Sequence, residues 1–222
     1  MTSTAATVFV IDDELSVRKA ISRLLQSSGF EVATFAAAQD YLDAFDPASP
    51  GCLLLDLSMP GQSGLQLQKT LQARGDAPPI IFLTGRADVP DTIQALKSGA
   101  FDFLTKPVED EVLIAAVSDA IARDAAARAT QADLAAIRER LARLTPRELE
   151  VLRCVVAGKL NKQTAAELGT VEKTIKVHRA RIIEKMQVNS LAELVLQAAK
   201  VGISGNPGAT LQTPEASTEG HE

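Results

Sequence analysis

The chain has 222 residues, a formal net charge of -5, 46% hydrophobic residues and 23% charged residues. This length suits two small domains, and no apolar run approaches the roughly 20 residues needed to span a bilayer, so no membrane partner is expected. The opening MTSTAATVFV has neither the basic nor the apolar region of a secretory signal, which makes a cytoplasmic location the expectation. Two cysteines, Cys52 and Cys154, lie far apart without metal-type spacing and are expected to be buried thiols. Charge is unevenly spread: residues 1–120 carry 8 Lys and Arg against 16 Asp and Glu, whereas residues 143–204 carry 11 against 6. Such a split suits a front part that meets a cation and a back part that meets a polyanion such as nucleic acid.

From Thr7 to about Arg123, short apolar runs alternate with stretches of helical spacing. The runs are TVFVI (7–11), EVATF (31–35), CLLLD (52–56), PIIFL (79–83) and FDFLT (101–105). Apolar residues at Val17, Ile21, Leu24 and Leu25, then Leu65, Leu67 and Leu71, then Ile93 and Leu96, mark the helices between them. Several runs are almost continuously apolar, which predicts strands covered on both faces in a parallel doubly wound α/β sheet. The stretch from Asp110 to Leu144 lacks Gly and Pro and reads as one long helix or two end to end. Its seam of Leu134, Ile137, Leu141 and Leu144 suits either a partner helix or the next domain.

Thr145-Pro146 has the form of an N-cap followed by proline at the first helical position, and four short helices are expected from there to Val201. Breaks are expected at Gly158-Lys159, Leu168-Gly169 and Val188-Asn189. The tail from Gly202 is small, polar and acidic, a composition of disordered segments.

In open parallel sheets, ligands sit at the carboxyl ends of the strands. Those ends carry Asp12, Asp13 and Glu14, then Asp56, Thr84 and Lys106. Packed carboxylates must protonate or bind a cation, and a hard oxygen site with room for water and phosphate suits magnesium (Mg2+). Asp56 can then act as nucleophile toward a phosphoryl group, with Lys106 and Thr84 contacting the transferred oxygens. Lys106-Pro107 also suits a cis turn.

These residues resemble the receiver domain of two-component response regulators over roughly 6–125. The resemblance rests on the acids after the first strand, DLSMPG around Asp56, LTG at 83–85 and GAFDFLTKP at 99–107. It implies phosphotransfer from a sensor histidine kinase to Asp56, metal ligation by Asp13 and Asp56, a water-mediated role for Asp12, and the backbone carbonyl of Ser58 as a further ligand. It also implies a switch in which Phe103 turns inward as Thr84 moves toward the phosphate. Arg86 and Val108 depart from residues common in the family, which bears on loop dynamics rather than chemistry.

In the basic part, Val171, Ile175, His178, Ile182 and Met186 recur at three and four and are expected to face a core. The other face carries Lys173, Lys176, Val177, Ala180 and Arg181, with Thr174 and Arg179 at its margins, which is the form of a helix-turn-helix reading helix. LTPRELEVL, GKLNKQTAAELG and KTIKVHRARIIEKM resemble the LuxR-type helix-turn-helix of FixJ/NarL-class response regulators. The resemblance implies binding of double-stranded promoter DNA, with Lys176 and Val177 at base edges and Lys162, Lys173, Thr174, Arg179, Arg181 and Lys185 at phosphates. His178 is expected to be a packed residue. Thr164 stands where the family has an aliphatic residue and Val171 where it has a Ser/Thr cap, so Thr170 is expected to cap the helix one residue early.

The expected organisation is a receiver at 6–125, a helical linker at 126–142, a DNA-binding domain at 143–201 and a tail at 202–222. The expected function is a transcription regulator, not an enzyme beyond its own phosphotransfer and autodephosphorylation, that forms a homodimer on phosphorylation, with RNA polymerase a further candidate partner. Two rivals are a phosphohydrolase with an aspartate nucleophile and a DNA-binding regulator that ignores phosphorylation. The first would need an acid two residues after Asp56, where Ser58 stands.

Overall fold

In the computed structural model the described residues are 6–75, 77–85 and 97–204. The chain divides into two compact units, Met1–Ala129 and Thr130–Glu222. In the first, strands β1 (Thr7–Ile11), β2 (Glu31–Phe35), β3 (Gly51–Asp56), β4 (Ile80–Thr84) and β5 (Asp102–Thr105) form one parallel sheet in the order β2-β1-β3-β4-β5. Helices α1 (Leu15–Ser27), α2 (Ala38–Ala44), α3 (Gly64–Arg74) and the first part of α4 (Asp110–Ala142) cover it. Ile93, Leu96, Arg86 and residues 205–222 of the tail lie outside the described residues.

The strands form where apolar residues can serve two faces at once. Side chains alternate along a strand. Accordingly Ile11, Leu53, Leu55 and Phe82 join one core with Tyr41, Leu67 and Leu71, while Val8, Val10, Leu54, Ile81 and Leu83 join the other with Leu25, Leu113 and Val117. All of β3 and β4 is buried, so the continuous apolar runs are explained by cover on both sides. β1 bonds to both β2 and β3, which puts the order reversal beside its C-terminal end. Gly51 starts β3 because a Cβ there would lie 1.9 Å from the Thr7 carbonyl oxygen.

A polar clamp secures α4. Buried Asp124 accepts from the Gly51 N–H at 2.9 Å and from Arg128 Nε at 2.7 Å. The Arg128 guanidinium also donates to the carbonyls of Pro47, Ala48 and Ser49. A buried carboxylate is tolerated when hydrogen-bonded and paired, and here both conditions hold.

The second unit contains the end of α4, then α5 (Pro146–Val156), α6 (Asn161–Glu167), α7 (Glu172–Met186) and α8 (Leu191–Lys200). Ile137 of α4 is fully buried in its core, with Leu141 and Leu144 packed alongside, so this part of the seam serves the unit's own interior, while Leu134 is half-buried outside that cluster. Thr145 caps α5 as expected, and Glu148 completes a capping box by accepting from the Thr145 N–H. Ile175, Ile182 and Met186 are buried, but Val171 is 65% exposed and does not face the core. The helix begins at Glu172, one residue beyond the point to which the periodicity had been extended. Val171 is itself the N-cap and makes no side-chain bond, so the early cap at Thr170 is not formed. Thr164 is fully buried and its hydroxyl has no partner, a cost of roughly 1–3 kcal/mol in place of the aliphatic packing its site suits. Both cysteines are buried free thiols, and burial pushes the Cys52 thiol up to about 12.

Candidate functional site

The C-terminal ends of β1, β3, β4 and β5 deliver the acidic set to one place. Carboxylate oxygens of Asp12, Asp13 and Asp56 lie within 4.8 Å of one another. Asp12 is fully buried, Asp56 nearly so, and Asp13 is exposed. Lys106 reaches in from the end of β5, with Nζ 2.6 Å from Asp12 Oδ2 and 3.5 Å from Asp56 Oδ1. Its N–H donates to the Thr84 carbonyl at 2.7 Å, so β4 and β5 hold the hydroxyl-bearing and ammonium-bearing residues in register. The Lys106-Pro107 peptide is cis.

Local chemistry fixes these positions. The Glu14 N–H donates to Asp12 Oδ1 at 2.8 Å, which turns the chain out of β1 into α1 and leaves Glu14 outside the carboxylate cluster. Ser63 caps α3 in a capping box with Gln66, and Gly64 brings that helix against β3. A Cβ on Gly64 would lie 2.5 Å from the Asp56 carbonyl oxygen, so only glycine permits this approach. Ser58 is exposed, and its backbone N–H donates to the Asp56 carboxylate. Phe103 is half-buried on edge strand β5, its ring 6.4 Å from that of Phe82.

Burial pushes the Asp56 carboxyl above its ordinary range and the neighbouring Asp12 charge adds to this, while Lys106 and the Ser58 N–H pull it back. Among the described residues the three carboxylates share the Lys106 ammonium. The remaining negative charge in a site made of oxygen donors fits a hard divalent cation with open positions for water and phosphate, and Asp12, Asp13 and Asp56 could hold one.

In the second unit, α7 presents Lys173, Lys176, Val177, Ala180 and Arg181 to solvent, with Thr174 and Arg179 half-buried at the margins and Lys162 exposed on α6. Arg179 Nη1 donates to Asn161 Oδ1 at 2.8 Å, which ties α7 to the start of α6. His178 is half-buried and its Nδ1 has no partner. Lys185 differs from the other basic residues: its ammonium lies 2.7 Å from buried Glu148 and donates to the Arg143 carbonyl. The Lys185 hydrogen bond holds the Glu148 carboxyl below its ordinary range, against the opposing effect of burial.

A depressed carboxylate contributes stability that is present above its unfolded pKa, about 4.3, and is lost as pH falls through the lower folded value. Protection of α5 against hydrogen exchange should therefore decline as acid is added below that range. Glu148→Gln keeps the capping geometry but removes the charge, so it should cost about 1–2 kcal/mol at neutral pH and flatten the acid response. An unchanged acid response in this variant would remove Glu148 as its source.

Comparison with known proteins follows the same division. The family described as response regulator receiver domain matches residues 8–118, and the bacterial regulatory proteins of the luxR family match residues 142–198. Nodulation protein W of Bradyrhizobium diazoefficiens is 42% identical over 204 residues, covering 92% of this chain and 90% of that protein. Transcriptional regulatory protein FixJ of Azorhizobium caulinodans is 42% identical over 203 residues, covering 91% and 96%. Among solved structures, response regulator StyR matches with a TM-score of 0.82 at 43% identity, over 88% of this chain and 99% of that one. Among the described residues no helix is long and apolar enough to cross a membrane. The chain belongs to the FixJ-like response regulators, transcription regulators that join a receiver domain to a LuxR-type DNA-binding domain.

Proposed function

We propose that the chain is phosphorylated on Asp56 by a sensor histidine kinase and that the phosphoryl group controls sequence-specific promoter binding by α7. The observation that carries this is the convergence of Asp12, Asp13, Asp56 and Lys106 at one sheet edge. An Asp56 carboxylate oxygen attacks phosphorus, the phosphorus–nitrogen bond of the phosphohistidine breaks, and the imidazole leaves with the electron pair. Asp13, Asp56 and the Ser58 carbonyl would hold Mg2+, with Asp12 acting through water, and the ion would neutralise charge on the phosphoryl oxygens. Lys106 exchanges its carboxylate partners for a phosphoryl oxygen, Thr84 donates to another, and Phe103 follows Thr84 inward. The same site supports slow autodephosphorylation.

The proposed organisation is a receiver at 6–125, a linker at 126–142 and a DNA-binding domain at 143–201. Lys176 and Val177 read base edges, while Lys162, Lys173, Thr174, Arg179 and Arg181 meet phosphates. Lys185, which also pairs with Glu148, meets a further phosphate. Phosphorylation favours a homodimer in the cytoplasm, which sets two reading helices on successive turns of DNA, roughly 34 Å apart, within reach of RNA polymerase.

Labelling of the full chain by acetyl phosphate tests the metal requirement. Chelation with EDTA should reduce labelling to background and added Mg2+ should restore it, because the acidic set cannot accept a dianion without a cation. Equal labelling with and without the chelator would overturn the assigned chemistry.

A further inference from the structure

We infer that the flank of α7 facing α5 is a phosphate clamp in which Arg143 joins Arg181 and Lys185, gripping the DNA strand opposite the one met by α6. The inference rests on the DNA-binding reading above and deepens it with a further residue and a strand assignment. A cleft of about 530 Å³ opens on this flank, lined by Arg143, Thr145, Glu148, Arg181, Glu184 and Lys185. Two of its cations, Arg181 and Lys185, stand four residues apart on the reading helix and so share one side of it. The third, Arg143, comes from the turn between α4 and α5, and Lys185 fixes that turn by donating to the Arg143 carbonyl at 3.2 Å.

Two contacts place the neighbours of α7. Arg179 bonds Asn161 at the start of α6, and Lys185 bonds Glu148 in the first turn of α5. At 3.6 residues per turn these two basic residues lie about 120° apart around the buried side, with the exposed face of Lys176 and Val177 between them the long way round. A helix in the major groove has one strand's backbone along each side, so α6 and α5 border opposite strands. The clamp's cations can reach an anion. An ammonium has three N–H donors, and Glu148 and the Arg143 carbonyl take two of those on Lys185, leaving one for a phosphate oxygen. Arg143 pairs with Glu139 across one exposed turn, a contact that water screens and that phosphate can replace. Glu184 is the exposed acid of the cleft, and its charge opposes the phosphate.

The test uses the full chain with acetyl phosphate and Mg2+ to select a consensus duplex from a randomised pool. Methylphosphonate linkages, which carry no charge, are then placed one at a time along each strand. Wild-type affinity should fall at a position that Arg143→Gln no longer senses, and that position should lie on the strand opposite the one where Lys162→Gln is insensitive. Arg143→Gln should also lower the slope of log affinity against log salt by about one unit, with equal losses on the consensus and a scrambled duplex. Arg143→Lys keeps the charge and should keep the slope, whereas Glu184→Gln should tighten binding to both duplexes. Neither substitution at 143 removes the carbonyl that Lys185 bonds, so both thermal midpoints should match the wild type. An unchanged slope with full sensitivity at every linkage in folded Arg143→Gln, or insensitive positions for both glutamine variants on one strand, would overturn the inference while leaving DNA binding intact. Failure of the wild type to select any consensus would overturn the DNA-binding reading and this inference together.

Discussion

Asp56→Asn should reduce labelling by acetyl phosphate and Mg2+ to background. The amide lacks the charge and nucleophilicity of a carboxylate, and no neighbour replaces it: Asp12 is fully buried and held by Lys106 at 2.6 Å, and Asp13 is exposed at the end of a different strand. The loss should not reflect unfolding. Burial holds the Asp56 carboxyl above its ordinary range, so its ionised form is disfavoured in the folded chain relative to the unfolded one. By linkage, ionised Asp56 detracts from metal-free stability at neutral pH, and the neutral amide removes that burden. The thermal midpoint of metal-free Asp56→Asn should therefore equal or exceed that of the wild type. Full labelling of the folded variant would move the phosphoacceptor elsewhere.

Lys106→Ala should separate phosphorylation from response. The ammonium lies between Asp12 and Asp56, nearer the first, and competes there with a divalent cation for the same oxygens. Its removal takes from the three clustered carboxylates the ammonium that pairs with Asp12 and Asp56, so Mg2+ affinity should rise on the order of tenfold. Labelling should persist, since Asp56 and the metal ligands remain. Without the ammonium, however, nothing draws the end of β5 toward the phosphoryl group, and the coupling to DNA binding should be lost. A coupling of the usual size is on the order of 5- to 150-fold in affinity. Titration of metal-free variant with Mg2+, then of labelled variant with operator DNA, checks both halves. Unchanged metal affinity would show that Lys106 does not compete for the site, and a normal response would remove it from the switch.

Much of the receiver was legible because its information is local and periodic. Runs such as TVFVI and EVATF coincide with β1 and β2 residue for residue, and the continuous apolar runs mark β3 and β4, which are buried along their whole length and so need apolar side chains on both faces. The strand ends then named Asp12, Asp13, Asp56, Thr84 and Lys106 without further help. What escaped the sequence depends on distance along the chain. Asp124 and Arg128 look like solvated charges on a helix, yet Asp124 bonds a glycine 73 residues away. Lys185 has the spacing of a DNA-facing residue, and only the packing of α5 against α7 shows its ammonium held by Glu148, 37 residues earlier. Gln68 and Gln72 of α3 both donate to the Ser98 carbonyl, a convergence with no sequence signature. Val171 failed for a different reason. Three-and-four spacing cannot tell a first helical turn from the cap before it, where the backbone is extended and the side chain leaves the buried stripe.

The most direct measurement is the affinity of the full chain for its selected duplex, with and without acetyl phosphate, at fixed Mg2+ and salt. Phosphorylation at Asp56 should raise wild-type affinity on the order of tenfold and leave Asp56→Asn unchanged. Equal wild-type affinities in the two conditions, with labelling verified in the same samples, would contradict control of the DNA-binding domain by the receiver.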